Sequence, residues 1–338
     1  MTALVARRPG MGWMVRWFCL APLLPCCIIL QTQTARAACD EAPPPVRDII
    51  ADRFYVDSAS SVADKAIIAR NRNALATLDH TLNAIIAMED KALAGDAASA
   101  ACAGSWLVVW AKGGAMLGHM SSQQAVIERK LRTAGMAVGY LKIRASLNAT
   151  DRGTIDAWMN ALGDQVVADQ GWPAKRNNHV YWAGFAAGAV GTATGADRLL
   201  AYSRRAYDAG MTDIQPDGTL PMELQRRGKA LDYTNYALAP LIMSAELAER
   251  RGEDWYGRGD GAIHRLVARV LSGLRDPKGF AALAHEPAVD VPHGGVLGWL
   301  AFYRLRFPDK VDGAPPGPFH YNWLGGDLTL TAKAWVKG

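Results

Sequence analysis

IIARNRNALATLDHTLNAII, residues 67–86, sets Ile67, Leu75, Leu78, Leu82, Ile85 and Ile86 at helical spacing. Side chains three and four positions apart share one stripe of an α-helix, so the stretch reads as a long amphipathic helix with one face to bury. The same periodicity predicts further helices over 97–117, 122–147, 151–169, 180–192, 196–210, 233–251, 261–274 and 294–307. Strand signals are nearly absent. Helix-stopping pairs such as Asp217-Gly218 and Gly252-Glu253 keep connections short, which makes successive helices antiparallel neighbours. A layer of antiparallel helix pairs buries its apolar faces by coiling into a solenoid or by closing into a ring. No fixed-period repeat runs through the chain, which argues against a regular solenoid. The Ala/Gly-rich run 183–195 suits an inner helix with close neighbours. Residues 313–318 hold three prolines and two glycines, and 319–331 reads as irregular or strand-like.

The N-terminus carries Arg7, Arg8 and Arg16, an apolar run from Trp17 to Leu30, and Ala35-Arg36-Ala37. That is the pattern of a secretory signal peptide cut after Ala37. Pro22 and Pro25 break the apolar run, which is too short for a comfortable membrane span. A soluble exported protein is expected, periplasmic and off the membrane once cleaved. Half of the 338 residues are apolar and no linker-like segment divides the remainder, so 38–338 is read as one domain. The chain holds 37 Lys+Arg and 32 Asp+Glu, and losing the four arginines of 1–37 leaves 33 bases against 32 acids. Nothing in that balance indicates a nucleic-acid partner. Attraction for a polyanion must come from local patches such as Arg226, Arg227 and Lys229, or Lys175-Arg176. Cys19, Cys26 and Cys27 leave with the signal segment, whereas Cys39 and Cys102 remain. An even pair in an oxidising compartment predicts a disulfide, worth about 4 kcal/mol for a loop of about 60 residues.

Two stretches carry chemistry: Asn177-Asn178-His179-Val180-Tyr181-Trp182, and Glu223-Leu224-Gln225-Arg226 continuing through Lys229-Ala230-Leu231-Asp232-Tyr233. Asn178, His179, Arg226 and Tyr233 supply an amide, an imidazole, a guanidinium and a phenol. Only the lone histidine is a good metal ligand, so neither a metal nor another cofactor is expected. The set suits proton abstraction beside a carboxylate, with two groups to hold the anion and two to move protons. The C5 proton of a uronic acid becomes acidic once the adjacent carboxylate is neutralised and an enolate-like intermediate can form. Asn178 can donate an amide N–H to it, Arg226 or His179 can supply positive or hydrogen-bonding character, and Tyr233 can take the proton, deliver one to the leaving C4 oxygen, or do both. A phenol with an ordinary pKa of about 10 is a poor base at neutral pH, and Arg226 is expected to lower it. Each residue also has a plain reading: His179 satisfied by backbone at a helix start, Asn178 as an N-cap, Tyr233 as a core tyrosine. Trp182 either stacks on a sugar ring or packs inside the inner helix.

With Leu220-Pro221-Met222 before Glu223 and Thr234-Asn235-Tyr236-Ala237-Leu238-Ala239-Pro240 after Tyr233, these stretches resemble the periplasmic alginate (mannuronate) lyases of polysaccharide lyase family 5. Cys39 with its proline cluster, Ala101-Cys102 and Leu324-Gly325-Gly326 resemble family landmarks in the right order, over nearly the whole mature chain. The resemblance implies an incomplete α/α toroid with a deep, tunnel-like cleft. It implies β-elimination on a β-1,4-linked polyuronate, leaving 4,5-unsaturated ends, with Asn178, His179, Arg226 and Tyr233 as the catalytic set. Arg53 falls near a basic residue of the family's lid, and Asn177, Trp182, Tyr236 and Trp323 complete the expected substrate-binding residues. An anionic polysaccharide is the expected partner, bound by a monomer.

Two departures bear on substrate. Thr234 stands where the family commonly has histidine, and Trp323 where it commonly has arginine. They motivate an alternative substrate, a glucuronate-containing exopolysaccharide. A glycoside hydrolase would need two carboxylates across the scissile bond, for which Glu223 and Asp232 are available. A third reading is a non-catalytic polysaccharide-binding protein of an exopolysaccharide secretion system.

Overall fold

The first five long helices each begin where the sequence offers a side-chain acceptor for unpaired N–H groups. Asp64 caps α1 (Lys65–Leu93), Asp96 caps α2 (Ala97–Gly113) and Ser122 caps α3 (Gln123–Ile143). Asn148 caps α4 (Ala149–Gln170), and Asn177 caps α5 (Asn178–Thr194). Then follow α6 (Asp197–Asp213), the short α7 (Pro221–Leu224), α8 (Ala230–Glu249), α9 (Arg258–Arg275), α10 (Pro277–Leu283), α11 (Leu300–Arg306) and α12 (Leu328–Lys337). This computed structural model describes residues 39–337, and the signal segment predicted over 1–37 lies outside them. Residues 38–338 cluster as one compact unit. Among the described residues no helix is long and apolar enough to cross a membrane.

Helix α5 is the hub: it packs against α3, α4, α6 and α8. Its small residues make that possible. A Cβ on Gly184 would meet the Ala206 Cβ at 2.4 Å, and one on Gly188 would meet the Ser203 Oγ at 2.4 Å, so α6 lies against bare backbone. Trp182, Phe185 and Val190 are fully buried on the same helix. Antiparallel pairs built around this hub form the incomplete α/α toroid expected from the sequence.

The N-terminal segment is strapped across α2. Cys39 and Cys102 form a disulfide with Cα atoms 5.3 Å apart. The Trp106 and Trp110 indoles donate to the Asp40 and Pro43 carbonyls at 2.8 and 2.9 Å.

Three boundaries differ from the sequence reading. Helix α2 stops at Gly113 because Gly114 takes the left-handed backbone (φ 64°). The stretch expected as one helix over 294–307 is a 3₁₀ turn at Gly294–Leu297 followed by α11. The tail expected as irregular or strand-like contains one small ladder, β1 (His320–Tyr321) against β2 (Gly326–Asp327), and then becomes helical as α12. Asp327 Oδ1 accepts from the Leu330 N–H at 2.8 Å, and Leu328, Thr331 and Ala332 turn one buried face inward. The segment between the two strands is clasped to the first and third helices: the Lys142 ammonium bonds both the Asp90 carboxylate and the Gly325 carbonyl.

Candidate active site

The two motif stretches open onto one cavity of about 630 Å³. Its walls come from α3, the start of α5, the α7–α8 region, residues 53–60 and residues 321–323. Eight of the nine catalytic and substrate-binding residues singled out from sequence line it: Arg53, Asn177, His179, Trp182, Arg226, Tyr233, Tyr236 and Trp323.

His179 owes its position to backbone. The Asn177 Oδ1 accepts its N–H at 3.0 Å, closing the first turn of α5, and the Lys130 ammonium donates to its carbonyl at 3.0 Å. The imidazole Nδ1 is buried without a hydrogen-bond partner among the described residues. Burial, then the positive charges of Lys130 and Arg226, hold its pKa well below the usual histidine range. The ring is therefore neutral at physiological pH and able to accept a proton.

Asn178 turns away from the cavity. It is fully buried, and its backbone N–H donates to Glu223 Oε1 at 2.8 Å. Its side-chain amide donates to the same carboxylate at 3.1 and 3.0 Å. The donor expected to face a substrate carboxylate thus faces Glu223 instead. Glu223 is itself fully buried and lies 3.6 Å from the Arg226 Nε. Burial raises its carboxyl above the ordinary range, opposed by the Asn178 N–H groups and by Arg226. A carboxylate enclosed in this way cannot flank a sugar, which removes the pairing of Glu223 with Asp232 that a hydrolase would need. Asp232 does line the cavity, and burial raises its carboxyl against the pull of Lys229.

Arg226 sits at the cavity wall with its Cζ 4.8 Å from the centre of the Tyr233 ring. Its Nη1 donates to the Ala59 carbonyl at 3.3 Å, which fixes the 53–60 loop beside it. That loop is held in shape by Asp57, whose Oδ1 accepts the Ser61 and Val62 N–H groups, each at 2.8 Å. Sequence reasoning expected Arg226 to lower the Tyr233 phenol. The guanidinium does pull in that direction, but burial and neighbouring Tyr55 push harder, and the phenol is raised above 10. Tyr233 enters as a neutral donor.

Trp182 lines the cavity and also takes the packing role that its sequence position allowed. It is fully buried, its indole donates to the Tyr236 carbonyl at 2.9 Å, and its ring lies 5.0 Å from that of Tyr236. It forms part of the cavity floor beneath Tyr236. Thr234 is likewise buried, donating to the Ala230 carbonyl at 2.7 Å inside α8, so that departure removes nothing from the cavity wall. Trp323 is half-buried and does line the wall, with its ring 5.3 Å from Tyr321. Sequence reasoning missed Tyr55, Glu128 and Tyr321 in the wall, and Lys130 beneath it. No local pattern flagged them, because each arrives from an element distant in sequence. Among the described residues no cluster of three or more His, Cys, Asp or Glu could hold a metal ion.

The chain is similar to known proteins. A family model described as "Alginate lyase" matches residues 53–280. A polysaccharide lyase of Stenotrophomonas maltophilia is 43% identical over 312 residues, covering 90% of this chain and 93% of that protein. An alginate lyase of Azotobacter vinelandii is 34% identical over 252 residues, covering 70% of this chain and 67% of its own. Among solved structures, alginate lyase A1-III complexed with a tetrasaccharide superposes with a TM-score of 0.74 at 26% identity, covering 87% of this chain and 85% of that one. The matched span 53–280 takes in both motif stretches, and the chain belongs to the alginate lyase family.

Proposed function

We propose that this protein is a polysaccharide lyase that cleaves an alginate-like, β-1,4-linked polyuronate by β-elimination. The observation that carries the reading is the meeting of His179, Arg226 and Tyr233 in one cavity, with the imidazole depressed and the phenol raised. Two titratable groups pushed apart in this way divide the proton traffic between them. Arg226 neutralises the uronate carboxylate, which makes the C5 proton labile. The neutral imidazole of His179 accepts that proton, and electrons move into the new C4–C5 double bond as the C4–O bond breaks. Tyr233 donates its phenolic proton to the departing oxygen. Asn178, tied to Glu223, braces the start of α5 and the Arg226 side chain from behind.

Family membership and relatives named alginate lyases favour this substrate class over a glucuronate-containing polymer or a non-catalytic binding role. The chain is exported to the periplasm through residues 1–37 and works there as a monomer. Supporting the export are the signal-like segment and a disulfide suited to an oxidising compartment. The test is the ultraviolet absorbance of the unsaturated product across polymannuronate, polyguluronate, polyglucuronate and hyaluronan. Chain shortening without that absorbance would mean hydrolysis and would sink the reading.

A further inference from the structure

His179 presents a problem of positioning. A proton-transferring imidazole is ordinarily held by a partner on its second ring nitrogen, yet Nδ1 here has none among the described residues. Its orientation must come from the backbone on either side of it. The Asn177 Oδ1 fixes the N–H. The carbonyl is fixed by Lys130, a residue of α3 that does not line the cavity and has only 3% of its surface exposed.

We infer that Lys130 is a positioning residue for His179, its ammonium pinning the His179 carbonyl to the C-terminal end of α4 from beneath the cavity. The second contact of the ammonium is the Gln170 Oε1 at 3.0 Å, the last residue of α4. Both partners are neutral oxygens. The nearest opposing carboxylate, Asp169, is engaged by Arg129. Loss of hydration, only partly offset by Asp169, brings the Lys130 pKa down to about 7. A lysine used only to fill space would not need two aimed donors, because its stem would serve. Here the head group bridges the two ends of the α4–α5 connection that delivers His179. Its charge also reaches the imidazole, together with that of Arg226 from the opposite wall.

The inference rests on the lyase reading, and the experiment separates the two. Wild type must first form unsaturated product, which judges the function alone. Lys130→Met keeps the stem and removes the donor. Its kcat should fall about tenfold or more with KM nearly unchanged, the split expected when a reacting group is misplaced. The acid limb of its kcat/KM profile should move to higher pH, since a positive charge beside His179 has gone. Lys130→Gln restores a neutral donor for the carbonyl and should recover most of the lost kcat. If both variants match wild type in kcat and acid limb, and differ only in melting temperature, Lys130 is merely structural and the inference fails. Imidazole ¹⁵N spectra give a readout that needs no activity. The His179 signals should shift in Lys130→Met and titrate at higher pH, and unchanged signals would overturn the inference even in a protein that cleaves nothing.

Discussion

Replacing Glu223 with alanine removes one buried carboxylate that holds Asn178 and the catalytic Arg226 at once. The carboxylate accepts from the Asn178 backbone and side chain at 2.8–3.1 Å and faces the Arg226 Nε at 3.6 Å. Hydrogen bonds to a charged group are worth about 1.5–3 kcal/mol each, and removing one partner of a buried pair costs about 3–5 kcal/mol. These contributions share one acceptor and do not add, so Glu223→Ala should lose about 3–5 kcal/mol of unfolding free energy. The same change frees the first turn of α5 and the Arg226 side chain. A displacement of about 1 Å at a reacting group can cost about 10²-fold in rate, which sets the expected fall in kcat. Urea unfolding followed by tryptophan fluorescence gives the first quantity, and initial rates of unsaturated product formation give the second. Glu223→Gln should be milder: its amide oxygen can still accept the Asn178 N–H, while its NH₂ group requires Asn178 to rotate its own amide. Glu223→Ala with wild-type turnover and a loss below about 1 kcal/mol would refute the bracing argument.

Tyr233→Phe should lower turnover about 10²-fold or more while keeping the ring under Arg226, so circular dichroism should be unchanged; near-normal turnover would remove Tyr233 as the acid. Glu89→Gln should stabilise the protein at alkaline pH. Glu89 is fully buried with no partner for either oxygen among the described residues, and burial raises its carboxyl well above 4.5. The folded state therefore binds the extra proton, and wild-type stability is full below pH 4.5 and lost as pH rises through the folded value. The melting temperature of Glu89→Gln should exceed that of wild type at pH 8 and converge with it near pH 4; a constant difference would contradict the assignment. Cys102→Ser should lose up to about 4 kcal/mol in urea unfolding by releasing the N-terminal strap; an unchanged midpoint would show that its hydrogen bonds hold the strap without the disulfide.

The helices that sequence alone located are those whose apolar residues recur at helical spacing, as Leu75, Leu78, Leu82, Ile85 and Ile86 do in α1. Helix α12 escaped because Leu328-Thr329-Leu330-Thr331 alternates apolar and β-branched polar residues, a strand signature locally. Burial of Leu328, Thr331 and Ala332 overrides it. In the site, residues inside the two motif stretches were legible because their types together imply one chemistry. Orientation was not. Asn178 sits beside His179 in sequence, yet the helix turns it into the interior, and Trp182 reaches the cavity only as a fully buried part of its floor. Lys130 and Glu223 were opaque for the opposite reason: their meaning lies wholly in what they touch, at separations of 49 and 45 residues.

The clasp between Lys142 and Gly325 joins positions 183 residues apart. Tyr321, at the end of β1, and Trp323, in the segment after it, belong to the wall, so the cavity is unfinished until this part of the chain has returned to α1 and α3. Such distant pairings form slowly, because chain closure must precede the contacts that reward it. A growing chain can therefore assemble its helical hub and still lack a complete catalytic wall. The catalytic wall is thus completed last, a requirement set by the order of the elements along the chain.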